Sequence, residues 1–349
     1  MMAAPELIYD MWYVAAHGSK LPRGKTLALT MLGQQVLLGR DSDGAVFALK
    51  DFCPHRGIPL RYGSFDGKEI ECCYHGWCFN TKGACTKIPS LTPDDKVDLS
   101  RIKTMSYPCR EFEGNIWVYI PAPKARVPES LPELPISAGP EGKSYHLVDS
   151  VVFPCHIDHA VIGLMDPSHG PFVHTSWWWR TRRSIHFKEK AFGPIGLGFR
   201  MKSHKPSTNS RAYKILGGDR KTEIMFQLPG LRSEHITIGN RHIVLLTALT
   251  PIDEKQTVLH QFIYTSSPAL NLLQRIAMPF GKAFIRQDLD IVIKQQEGLR
   301  GDHPSLMLLG GADQQALWYF KLKKDYLEAH AQGVPFENRL PEKVLRWNS

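Results

Sequence analysis

Four side chains near the start of the chain constrain it more than any other feature. They are Cys53, His55, Cys72 and His75, spaced as Cys-x-His, sixteen residues, then Cys-x-x-His. Two thiolates and two imidazoles that act together require the two short segments to face each other as loops. The donors suit a tetrahedral zinc, or a [2Fe–2S] cluster with both cysteines on one iron and both histidines on the other. Zinc sites pair cysteine with cysteine locally, and histidine with histidine. Here each loop supplies one of each, which favours the cluster. Replacing two thiolates by neutral imidazoles removes negative charge and raises the reduction potential. Gly57 and Gly76 leave room for backbone N–H groups to approach a sulfide, and Pro54 fixes the entry to the first loop. Cys73 is a rival ligand, but Cys72 gives the Cys-x-x-His spacing and is preferred.

A second donor set lies at Asp166-x-x-His169-x4-His174. If this stretch is helical, Asp166 and His169 share a face. Gly170-Pro171 would then break the helix and turn His174 back. Two histidines and one carboxylate form the facial triad that binds Fe(II) and leaves positions open for O2. His156 and His159 lack this spacing and read as polar or partly buried helix residues.

Cys53-Pro-His-Arg-Gly with Cys72-x-Tyr-His-Gly-Trp77 resembles the Rieske domain of the non-haem iron ring-hydroxylating oxygenases. D-x-x-H-x4-H resembles the iron motif of the same family. In that family the third ligand comes from a late helix of pattern D-x-x-(I/V)-(I/V)-x-x-Q-Q, which Asp288 to Gln296 match. Periodicity agrees independently: Phe284, Asp288, Ile291, Val292 and Gln295 fall on one helical stripe. Asp290 lies about 200° round the helix and reads as a solvated charge.

The resemblance implies an α+β chain. An N-terminal all-β Rieske domain would carry the cluster on Cys53, His55, Cys72 and His75. A C-terminal helix-grip domain, an antiparallel sheet on a long helix, would hold mononuclear Fe(II) on His169, His174 and Asp288. Asp166 would not ligate. It would bridge an iron-bound histidine to a Rieske histidine of a neighbouring subunit. The chain would be a terminal oxygenase component, similar to the homotrimeric phthalate-oxygenase and O-demethylase group. Electrons would come from NAD(P)H through a separate flavin reductase, a ferredoxin or both. Hydroxylation, dihydroxylation or oxidative demethylation of an aromatic substrate with O2 would follow. Ile162-Gly163 stand where the family often has Glu-Asn or Asp-Asn. Two other readings are an electron-transfer protein of Rieske type without oxygenase activity, and a zinc-stabilised binding module.

Strand signals at Thr26–Met31, Gln35–Gly39, Val46–Lys50, Met105–Arg110 and Asn115–Ile120 predict a small antiparallel β domain over residues 1–120. Six prolines between 121 and 140 mark a linker over 121–143. Residues 144–349 are expected as the catalytic domain. Strands are predicted at Tyr145–Phe153, Ile224–Gln227, Glu234–Ile238, His242–Thr250 and Thr257–Thr265. Helices are predicted over Leu270–Leu299 and Ala312–His330.

Seven cysteines, an odd number, argue against a disulfide framework and for a reducing compartment. The sequence has no 18-residue apolar run and no signal layout, so a cytoplasmic protein without a membrane partner is expected. A net charge of +9 admits nucleic acid, an anionic surface or an acidic protein partner, but no nucleic-acid motif is present. Arg180 to Arg183, after Trp177 to Trp179, read as a patch for an acidic redox partner, a subunit interface or a solvated loop. One of the tryptophans is a candidate pocket wall. Pro206 to Asn209, with Gly217-Gly218, resemble a variable pocket region. An aromatic carboxylate would suit the basic charge.

Overall fold

A computed structural model describes residues 6–135, 145–176, 185–206, 219–301 and 306–349. The expectations for Trp177 to Trp179, for Arg180 to Arg183 and for residues 207–218 therefore lie outside the described residues. The chain divides into two compact units, Tyr9–Leu134 and Pro135–Ser349 with Met1–Ile8.

The first unit contains β1 (Met11–His17), β2 (Lys25–Met31), β3 (Gln34–Arg40), β4 (Val46–Lys50), β5 (Ser64–Phe65) and β6 (Glu69–Glu71). It continues with β7 (Cys78–Asn80), β8 (Cys85–Lys87), β9 (Ser106–Tyr107), β10 (Cys109–Phe112) and β11 (Asn115–Ile120). They form sheets in the orders β1-β11-β10, β2-β3-β4-β9 and β5-β6-β7-β8, all antiparallel. The predicted strand at Met105–Arg110 is split at Pro108, which has no N–H to give a ladder.

Two loops of this unit close in the same way. The Cys53 N–H donates to the Ile58 carbonyl at 2.8 Å, and the Gly57 N–H donates back to the Cys53 carbonyl at 2.9 Å. The Cys72 N–H donates to the Trp77 carbonyl at 2.9 Å, and the Gly76 N–H to the Cys72 carbonyl at 3.0 Å. Each loop therefore has a cysteine at its start and a glycine four residues on, with φ of +77° at Gly57 and +67° at Gly76. The structure adds a second role for these glycines: their N–H groups close the loops, and their left-handed backbone is one that an L side chain would resist.

The second unit is built on β12 (His146–Phe153), β13 (Phe187–Ile195), β14 (Gly198–His204), β15 (Arg220–Gln227), β16 (Leu231–Ile238), β17 (Arg241–Pro251), β18 (Thr257–Thr265) and β19 (Lys343–Asn348). They form one antiparallel sheet in the order β12-β18-β17-β16-β15-β14-β13-β19. The helices are α1 (Ile157–Met165), α2 (Gly170–Val173), α3 (Pro268–Gly298) and α4 (Gln314–Ala331). The long helix α3 packs on β12 and β18. A Cβ at Gly281 would meet Val148 Cγ1 at 2.9 Å, so this glycine lets helix and strand approach closely. Ile285 and Val292 of α3 are buried.

The metal-motif segment departs from the sequence reading. Asp166 and His169 do not share a helix face, because α1 stops at Met165. Asp166 is extended, with ψ of 117°, since the residue before Pro167 is pushed out of the helical region. Gly170-Pro171 does not break a helix but opens one: proline is accommodated in the first turn of α2. Helix α1 is held to α4 by a buried cluster. Lys323 Nζ lies 2.7 and 2.8 Å from the two Asp158 oxygens, and the Tyr319 hydroxyl donates to Asp158 Oδ1 at 2.5 Å. Burial alone would raise the Asp158 pKa. The hydrogen bond with His156 and the Lys323 charge outweigh it and hold the carboxyl low. Among the described residues no helix is long and apolar enough to cross a membrane.

Two predictions follow from these contacts. Gly76→Ala would force φ of +67° on an L residue and set a methyl 3.0 Å from Pro89 Cγ. The expected cost is about 1–2 kcal/mol, read as a lower Tm with unchanged strand content; an unchanged Tm would mean the loop relaxes freely. Burial lowers the His260 pKa to about 4. Between the ordinary value near 6.5 and about 4, the unfolded chain binds a proton that the folded chain refuses. Stability is full above pH 6.5 and falls as the pH drops towards 4, by up to roughly 3 kcal/mol. His260→Gln should flatten that part of the stability–pH curve, which urea melts at several pH values measure.

Candidate metal centres

The twin loops bring Cys53, His55, Cys72 and His75 together and sort them by type. Both cysteines are buried, at 2% and 3% exposure, while both histidines are exposed. Burial, with the Cys72 thiol alongside, pushes the Cys53 thiol up to about 11, and the His55 and Arg56 N–H groups pull the other way. The imidazoles of His55 and His75 sit with centroids 4.6 Å apart. Trp77 of the second loop stacks flat on His55 of the first, at 4.4 Å and 3°. Tyr74 packs on His75 at 3.8 Å. Desolvation, then His75 and Arg56, lower the His55 pKa, which favours the neutral form of the ring that a metal requires. Paired buried sulfurs beside paired imidazoles fit a cluster with sulfur on one iron and nitrogen on the other. Cys73, the rival in sequence, is exposed and outside this arrangement.

In the second unit His169, His174 and Asp288 converge. His169 Nε2 lies 3.1 Å from His174 Nε2 and 3.8 Å from Asp288 Oδ1, and His174 Nε2 lies 3.2 Å from Asp288 Oδ1. Among the described residues this is the group of three such side chains close enough to hold one metal ion. The spacing and donor set fit one ion touching all three. His169 carries its Nδ1 proton to the Asp166 main-chain carbonyl at 2.7 Å, and burial keeps its pKa below the ordinary range. The Asp166 carboxylate stands 3.7 Å from that ring and accepts the Ser168 N–H at 2.7 Å. It is thus the backbone of Asp166, not its side chain, that holds His169.

Several neighbours have other tasks. Asp290 is exposed and pairs with Lys294. The His156 side chain caps the start of α1 through the Asp158 N–H, and His159 lines the adjoining cavity. Phe284, already on the helical stripe of Asp288, is joined here by Gln287 and Ser176, which carried no separate signal in the sequence. Phe284 stacks on His174 at 3.5 Å and 16°. Gln287 Oε1 lies 3.0 Å from His174 Nδ1, and Gln287 Nε2 donates to Ser176 Oγ at 2.6 Å. Only adjacency to Asp288, and the i,i+3 step from Phe284, would have drawn attention to Gln287.

The centre opens on a cavity of about 240 Å³ whose wall includes Phe153, Ile162, Met165, Leu259, Ile291 and Val292. Gly163 is in the wall, and a Cβ there would meet nothing within 4 Å. Beside His169 and Asp288, the lining among the described residues has polar groups at His159, Asp166, Gln295 and Asp313 but no lysine or arginine. An aromatic carboxylate, considered from the net charge, finds no cationic partner among them.

Residues 11–108 match the model of the Rieske [2Fe-2S] domain. The chain is 25% identical over 350 residues to chlorophyllide a oxygenase, chloroplastic, of Oryza sativa subsp. japonica, covering 95% of this chain and 59% of that one. The chain spans about half the length of the curated relatives it matches. Among solved structures, NdmA of Pseudomonas putida CBB5 with caffeine superposes with a TM-score of 0.73 at 18% identity, over 93% of this chain and 92% of that one. Dicamba monooxygenase bound to dicamba gives 0.68 at 22%, over 93% and 99%. With two donor sets already placed by its own loops and helices, this chain matches the Rieske [2Fe–2S] domain over residues 11–108 and shares the fold of NdmA and of dicamba monooxygenase.

Proposed function

We propose that this chain is the terminal oxygenase component of a Rieske non-haem iron system, acting with O2 on a neutral, largely apolar aromatic substrate. The observation that carries the reading is the triangle of His169 Nε2, His174 Nε2 and Asp288 Oδ1, with edges of 3.1, 3.2 and 3.8 Å, opening on an apolar cavity. A pure electron carrier has no use for that second donor set. When bound, the cluster would supply single electrons and the mononuclear Fe(II) would activate O2.

Cys53 and Cys72 would hold one iron of the cluster, and His55 and His75 the other. His169, His174 and Asp288 would hold the mononuclear Fe(II). Phe153, Leu259 and Ile291 would bind the substrate ring and exclude water, while Gln295 and His159 offer hydrogen bonds to a carbonyl, ether or hydroxyl. Asp166, at the cavity edge beside His169, would bridge towards a Rieske histidine of a neighbouring subunit in a homotrimer. NAD(P)H would feed electrons through a flavin reductase, a ferredoxin or both. The reaction is hydroxylation, dihydroxylation or oxidative demethylation; the names of NdmA with caffeine and of dicamba monooxygenase bound to dicamba give ring compounds as test substrates. All seven cysteines are free, as suits a reducing compartment such as the cytoplasm.

Iron and acid-labile sulfide per chain test the reading, together with the EPR spectrum of the reduced protein. About three irons and two sulfides, with a Rieske-type signal, are expected. His169→Ala should lose about one iron and all oxidation yet keep the cluster spectrum, and His75→Ala should lose the cluster. Zinc without sulfide would overturn the proposal. Reductase-coupled O2 uptake on neutral aromatics and on their carboxylates tests the substrate class. Faster turnover of the carboxylates would refute the neutral substrate class.

A further inference from the structure

We infer that Gln287 positions His174 and selects the ring nitrogen that it offers to the metal. The inference rests on reading His169, His174 and Asp288 as an iron site. The two histidines of that site are oriented by different means. His169 is fixed locally, three residues from the Asp166 carbonyl that takes its Nδ1 proton at 2.7 Å. His174 ends the short helix α2, and what orients its ring comes from α3, more than a hundred residues later. Phe284 lies flat against one face at 3.5 Å, and Gln287 Oε1 stands 3.0 Å from Nδ1.

A neutral imidazole carries one N–H, and a metal can use only the other nitrogen. The direction of the Gln287 amide therefore decides which nitrogen is free. Its Nε2 is engaged by Ser176 Oγ at 2.6 Å, so the oxygen is turned to His174 and must accept. The proton is thereby placed on Nδ1, and the Nε2 lone pair points at His169 Nε2 and Asp288 Oδ1. The reversed amide would donate to Nδ1 and drive the proton onto Nε2, into the centre itself. His174 is only 2% exposed, which leaves little room for solvent to replace the amide. One and a half turns of α3 thus supply a ligand at Asp288, its neighbour's orientation at Gln287 and its packing at Phe284.

The test uses the cluster-bearing full chain. The mononuclear iron is removed with a chelator, Fe(II) is titrated back anaerobically, and iron and sulfide are counted. Gln287→Leu should weaken Fe(II) binding about 10- to 100-fold while sulfide and the cluster spectrum stay at wild-type values. Gln287→Glu keeps an acceptor for Nδ1–H, and the Ser176 hydroxyl can turn to donate to it. That variant should bind Fe(II) within about threefold of wild type or more tightly. Wild-type affinity in Gln287→Leu would overturn the inference. So would equal weakening in Gln287→Glu, since the effect would then be packing and not the hydrogen bond. His174→Ala separates the two levels: if it binds Fe(II) like wild type, the site reading itself fails, whatever Gln287 does.

Discussion

The second candidate metal centre depends on one convergence: two imidazole nitrogens from the α1–α2 segment must meet a carboxylate oxygen from α3 within 3.8 Å. Neither segment can supply this alone. The histidine segment has to be irregular, and Pro167 and Pro171 make it so by ending one helix and starting the next. The carboxylate has to come from something rigid, and a 31-residue helix is that. Gly281 lets the helix lie close to β12, and Ile285 and Val292 bury against the unit. Each such buried aliphatic side chain contributes roughly 1.5–3 kcal/mol. On the other flank, the Asp158–Lys323 pair pins α1 to α4. Removing one partner of a buried pair of this kind leaves an uncompensated charge, so the pair fixes the position of α1 strongly even where its net contribution to stability is small.

The first unit solves a similar problem by local means. Its two donor loops are closed by the same pair of backbone hydrogen bonds, each using a glycine at positive φ. The result buries the sulfurs and leaves the imidazoles facing out, with Trp77 of one loop clamped on His55 of the other. Here a few consecutive residues define each ligand pair, and the surrounding sheets need only hold the loop ends apart at the right distance.

That difference explains what could be read in advance. The Cys/His loops, strands β2, β3, β4 and β11, and the apolar stripe that carries Asp288 rather than Asp290 were legible, since periodicity and turn residues are local signals. Strands β13, β14 and β19 were not. Gly193-Pro194 and Gly198 punctuate the first two like turns, and the last depends on β13 for its pairing. The glycines of the donor loops were recognised as necessary, but only the hydrogen-bond pattern reveals that their own N–H groups close the loops. The helix break was placed at Gly170-Pro171 instead of Asp166-Pro167. Both pairs contain a proline, and the sequence does not state which one stops a helix and which one starts the next.

The sequence by itself determined the donor atoms and their grouping: two cysteines and two histidines in twin loops, two further histidines, and a late carboxylate on an apolar helical stripe. These follow from residue chemistry and spacing along a few turns of chain. Tertiary structure decided how the donors are presented. It put the Asp166 backbone, not its carboxylate, on His169. It set Gln287 against His174, and it lined the cavity, as far as the residues are described, without a cation. Such choices depend on which groups from distant segments end up within 3 Å of each other, and that is fixed by packing between elements rather than by any pattern within one of them.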